Sequence, residues 1–148
     1  MADIPMLTGP FSHDMMVCVM EDQYPDLKHG PDYRVAQPID AKDPSQHGDP
    51  FFIQWTNKAV EQPDPADIKA IFEADEEKYR ATFARKFRDA CLVGTDGRAN
   101  VSDAPQSQRL AASIDAWKTY RQALRDVPQQ PGFPLTIDWP ACPDGSTP

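Results

Sequence analysis

The apolar positions of this chain fall into three regimes. In the first third they come as short runs, Met15 to Met20, Tyr33 to Gln37 and Phe51 to Trp55, each bounded by Pro, Gly or Asp. Runs of that length between turn residues predict three short strands, stable as an antiparallel sheet if one face packs on something apolar. In the middle, Ile68, Ile71, Phe72, Tyr79, Phe83, Phe87 and Cys91 recur at steps of three and four with one double step. That spacing predicts one amphipathic helix from Pro65 to Val93. Asp64 is its expected cap, Pro65 takes the first helical position where a missing N–H costs nothing, and Gly94 is the expected C-terminal cap. A second stripe, Leu110, Ile114, Trp117, Tyr120, Leu124 and Val127, predicts a helix over Ser107 to Val127, ended by Pro128.

The stretch Thr95 to Gln106 carries Gly, Asn, Ser and Pro, which predicts a turn folding the two helices into a long antiparallel hairpin. An unbroken first helix would be about 43 Å long, far beyond the size of a compact body of this length, so either the helix breaks or the protein is elongated.

Proline placement sharpens this division. Of 16 prolines, nine lie between Pro5 and Pro65 and six from Pro128 onward, with Pro105 alone between them. The expected class is α+β, in three parts: a small N-terminal antiparallel β module over 1–64, the helical hairpin over 65–127, and an extended Pro-rich C-terminal strap over 128–148. The strap carries Phe133, Ile137 and Trp139 among its prolines and has too few apolar residues for a core of its own, so it lies along the hairpin or on another protein.

The net charge of -8 changes the picture of partners. Residues 1–64 hold eleven acidic and four basic side chains, and no basic tract appears anywhere. Nucleic acid and anionic membrane surfaces are therefore not expected partners. The run Met15 to Met20 is too short to span a bilayer, and Met1-Ala2-Asp3 does not open a signal peptide. The expected location is a cytoplasm, at least initially.

Chemistry is sparse. Cys18, Cys91 and Cys142 are odd in number and far apart, which reads as three free thiols, although an assembly leaving the cell could acquire a disulfide. His13, His29 and His47 fall outside any nucleophile elbow or zinc motif and read as solvated loop residues. Asp40 and Asp43 beside His47 match no calcium loop, and a small hydrolase built on them is the remote rival from another class. Gly94-Thr95-Asp96-Gly97 reads as a helix-ending turn, not a phosphate loop, and Asp75-Glu76-Glu77 as a wet helix face. No catalytic residue, metal or cofactor is expected.

The informative stretch is Trp117 to Pro140. Arg121 and Arg125 stand one turn apart around Leu124, with Trp117 a turn earlier, and such Arg and Trp patches often anchor interfaces. The bland alternative is an internal latch, in which Arg pairs with Asp126 or a strap carbonyl and Trp139 packs on Trp117. The candidate partner-binding residues are Trp117, Tyr120, Arg121, Leu124, Arg125, Phe133 and Trp139.

A pattern runs through this region: Arg85 and Arg88 with Leu92, Thr95-Asp96, Asp103-Ala104-Pro105, Trp117, Tyr120-Arg121, Leu124-Arg125-Asp126, Pro128, Gln130, Phe133-Pro134 and Trp139-Pro140. In this order the elements resemble the C-terminal module of tailed-bacteriophage tail assembly proteins, the tail assembly chaperone or tail fibre assembly proteins. The family often has Trp after Thr-Asp, where this chain has Gly97. Tyr24-Pro25, Gly48-Asp49 to Trp55 and Gln62-Pro63-Asp64-Pro65 are more weakly similar to modules found ahead of this one in phage tail proteins. The resemblance implies a non-enzymatic protein that binds tail, baseplate or tail-fibre proteins, with or without oligomerisation in an assembly. The alternative it leaves open is a minor structural protein retained in the virion tail, baseplate or fibre base.

Overall fold

A computed structural model of the chain describes residues 10–38, 48–99 and 113–146. Within them lie five α-helices and one two-stranded antiparallel sheet, an α+β arrangement. The chain forms two compact units, divided between Phe83 and Ala84.

The first unit opens with helix α1, His13–Gln23, where a strand over Met15 to Met20 was expected. An apolar run of six suits a buried strand or a buried helix equally, and here the flanks decide. Ser12 caps the end through its side chain, which accepts from the Met15 N–H, and Asp14 sits in the first turn near the positive end of the dipole. Methionine is also a good helix former. Met15, Met16, Cys18, Val19 and Met20 are all buried, so α1 is the centre of the unit and packs on β1 and on the helix after the sheet.

Strands β1, Tyr33–Ala36, and β2, Phe51–Trp55, pair as expected, with Tyr33 opposite Trp55 and Val35 opposite Phe52. An irregularity between Arg34 and Val35 shifts the register. It lets Phe52 and Trp55, three residues apart, both reach the Tyr33 ring. The loop residues Asp40, Asp43 and His47 lie outside the described residues.

Helix α2, Pro65–Ala74, starts as the sequence indicates: the Asp64 carboxylate accepts from the Ala66 N–H at 2.8 Å and Pro65 follows. Of the two outcomes the helix's length left open, the helix breaks: it ends at Ala74, and the chain resumes after Asp75 as α3, Glu76–Gly94. Asp75 leaves helical geometry at φ -144°, ψ 50°, its N–H bonded to Phe72 O, and Glu76 and Glu77 then occupy the positive end of the new helix. Ile68 and Phe72 from α2 and Tyr79 from α3 complete the first unit's core.

From Ala84 onward the second unit contains the rest of α3, a short helix α4, Asp96–Ala99, and α5, Ile114–Asp126. Gly94 does not take the left-handed geometry of a glycine cap; the Thr95 hydroxyl instead donates to the Cys91 carbonyl at 2.8 Å. Ser113 caps α5 through the Ala116 N–H, and Val127–Gln129 adds one 3-10 turn. Residues 100–112, including Pro105 and the predicted start of the second helix, lie outside the described residues.

Candidate docking surface

Helix α5 carries the strongest apolar stripe of the second unit because Trp117, Tyr120, Leu124 and Val127 fall at three- and four-residue steps, and all four are buried. The Trp117 ring meets Tyr120 edge-on, with centroids 6.0 Å apart, and carries the Arg98 guanidinium 4.7 Å from its centre. Its indole N–H has no hydrogen-bond partner. Burial pushes the Tyr120 hydroxyl up to about 12, with Cys91, Cys142 and Asp144 adding to the shift.

Arg121 is the polar keystone. Only 9% exposed, its guanidinium donates to the Leu92 carbonyl, to Thr95 Oγ1 at 2.9 Å and to the Asp96 carboxylate. A planar fork with several donors can hold a helix end, a hydroxyl and a carboxylate together, which an ammonium cannot do as well. The expected pairing with Asp126 or with a C-terminal carbonyl is thereby corrected; Asp126 instead accepts from Gln122.

The C-terminal residues contact α3 at two places. Phe133 lies under the Arg85 guanidinium at 5.2 Å, and Trp139 packs edge-on against Phe87 at 5.0 Å, not against Trp117 as expected. Between them the Gln130 amide clips the chain, donating to Asp138 O and accepting from Asp138 N, both at 2.8 Å. The turn before Thr136 needs glycine, since a Cβ on Gly132 would stand 2.6 Å from Thr136 O. Farther along, Arg98 pairs with Asp144.

Of the seven candidate residues, Trp117, Tyr120, Arg121, Leu124 and Trp139 are buried, Phe133 is half-buried and Arg125 is exposed. The outer side of α5 forms an open cleft of about 550 Å³ whose polar lining includes Lys118, Thr119, Gln122 and Arg125. Sequence reasoning missed Arg98, Phe87 and the Gln130 clip. Phe87 belonged to a visible stripe, but nothing local says that its partner comes from residue 139.

The histidines and carboxylates gather no reaction centre among the described residues. His13 begins α1 rather than lying in a loop, with Nδ1 2.9 Å from Asp14, and its ring meets His29 at 5.4 Å. Burial and the neighbouring His13 hold His29 below its ordinary value. No group of three His, Cys, Asp or Glu side chains is placed to hold a metal, and no helix is long and apolar enough to cross a membrane, among the described residues.

Residues 81–144 match the model of the phage tail assembly chaperone protein family, and residues 16–80 match that of the XkdW protein family, which is phage tail-associated. The chain is a tailed-phage tail assembly protein. The two matches meet close to the division between the structural units at Phe83. Leu92, Thr95, Asp96 and Arg121, all within residues 81–144, form one bonded group. No curated protein and no solved structure matches the chain.

Proposed function

We propose that this phage tail assembly protein works without catalysis, by binding tail or tail-fibre subunits in the host cytoplasm and helping them assemble or attach. The observation that carries this reading is the match of residues 81–144 to the tail assembly chaperone family over a unit in which Arg121 ties Leu92, Thr95 and Asp96 together. In this proposal Arg125 and Phe133 touch the partner, while Trp117, Tyr120, Arg121, Leu124 and Trp139 hold the surface in shape. Helices α3 and α5 act as the hairpin that presents it, and residues 128–148 as an adjustable strap. Unassembled subunits expose apolar patches that need temporary cover, and an Arg and aromatic surface is suited to provide it.

The test is infection with phage in which this gene is interrupted. Electron microscopy of the lysate is expected to show heads with missing or defective tails, restored by supplying the chain; normal tails without it would overturn the proposal. Mass spectrometry of purified particles separates the two roles: absence from the particle fits a transient assembly factor, and stoichiometric presence fits a retained structural protein.

A further inference from the structure

Cys91 and Cys142 are 51 positions apart in sequence, yet the packing of the second unit brings together the segments that carry them. Cys91 follows Phe87 by four residues on α3, so it lies one turn along the same face. Trp139 sits on Phe87, and Cys142 comes three residues later. Beyond the pair, Asp144 is fixed to Arg98. The two anchors, Phe87 with Trp139 and Arg98 with Asp144, therefore bracket the cysteines on both strands of the contact. Tyr120 is a shared neighbour, since both thiols act on its hydroxyl. Each cysteine is half-buried, and both are free thiols here. Cys142 is held in a polar turn: its S–H donates to Asp144 Oδ1 at 3.1 Å, and the Ser146 hydroxyl lies 3.2 Å from Sγ.

From this juxtaposition we infer that Cys91 and Cys142 are an oxidation site, closing to an intramolecular disulfide by exchange with a low-molecular-weight disulfide. The Cys142 thiolate attacks one sulfur of that disulfide and expels one small thiol. The Cys91 thiolate then attacks the mixed disulfide at the Cys142 sulfur and expels the second. Two protein thiols and one small disulfide become one protein disulfide and two small thiols, so hydrogens and electrons balance. Burial, with Cys142 beside it, raises the Cys91 thiol above its ordinary value, so the second step speeds up as pH rises. The bond pins residues 139–142 to α3 after the assembly leaves a reducing cytoplasm. Cys18, buried in the core of the other unit, takes no part.

The experiment incubates the full-length chain with oxidised glutathione, then counts thiols after denaturation and maps linked peptides by mass spectrometry. The expected result is the loss of two thiols of the three, a linked peptide joining Cys91 to Cys142, and the same bond in Cys18→Ser. Closure should be roughly tenfold or more faster in the folded chain than in urea, because folding raises the effective concentration of one thiol at the other. Stable glutathione adducts on Cys142 with no internal link, a link involving Cys18, links only between chains, or equal rates with and without urea would each overturn the inference. Cys142→Ala, checked for folding by circular dichroism, should keep two thiols and form no internal link.

Discussion

The two units are held together by different means. In Pro5–Phe83 the centre is mainly apolar: Met15, Met16, Val19 and Met20 of α1 pack with Ile68, Phe72, Tyr33 and Tyr79, with one buried guanidinium, Arg80, 5.5 Å from the Phe72 ring and paired with Glu76, and an ionic rim where Lys78 and the Tyr79 hydroxyl both reach Asp22 at 2.6 and 2.9 Å. From Ala84 onward the aromatics are organised by guanidinium groups, with Arg98 over Trp117, Arg85 over Phe133 and Arg121 bonded to the end of α3. Apolar burial is non-directional and tolerant of small shifts, whereas a three-way guanidinium contact is made or lost as a unit. The first unit rests mainly on apolar burial, and the second adds more directed guanidinium contacts.

The largest expected effects break each unit at its own centre. Trp117→Ala should cost about 3–5 kcal/mol and Ile68→Ala about 2–5 kcal/mol, since both remove fully buried side chains. Hydrogen exchange resolved by peptide should show loss of protection mainly from residue 84 onward for the first, and mainly before it for the second. Equal loss everywhere in both variants would mean that the units unfold as one and that the contrast is empty.

Next in size, Arg121→Lys keeps the charge but cannot reach the Leu92 carbonyl, Thr95 and Asp96 together. It should cost about 2–3 kcal/mol in urea unfolding, while the matching change at exposed Arg125 should cost less than about 0.5 kcal/mol. If both lysine variants are equally stable, charge alone is what counts at position 121.

Much of this contrast was legible in the sequence. Asp64-Pro65 marks the start of α2, and both strands of the sheet follow from the runs Tyr33 to Gln37 and Phe51 to Trp55. The Met15 to Met20 run misled because a fully buried element has no polar face to reveal its period. The double step from Phe72 to Tyr79 and the excess length both left a break open, but neither placed it at Asp75. Arg121 and Trp139 were named with other partners, and Arg98 and Gln130 were missed, because periodicity describes neighbours along one helix and says nothing of which distant ring or carbonyl arrives. Arg121 with Asp96, and Trp139 with Phe87, are facts of tertiary packing.

A smaller effect asks what the units share. Burial first, with neighbouring charges added, pushes Tyr33 in one unit and Tyr120 in the other up to about 12, against an ordinary 10.0. The folded state therefore prefers the neutral phenol. Its stabilising contribution is complete below about pH 10 and is lost as pH rises through 12. Tyr79 is also raised, by burial and its bond to Asp22, so ultraviolet titration should show late phenols of which one disappears in Tyr33→Phe and another in Tyr120→Phe. The Tyr33 hydroxyl is buried without a hydrogen-bond partner, so Tyr33→Phe should change stability at neutral pH by less than about 0.5 kcal/mol or raise it.

The most direct test of the account is capture of tail and tail-fibre subunits by the purified full-length chain, compared with a Lys118→Glu, Arg125→Glu variant that alters only exposed side chains of α5. The account predicts that the native chain retains a subunit and that the variant binds it at least about tenfold more weakly at an unchanged melting temperature. Equal retention by both, or none by the native chain, would contradict it.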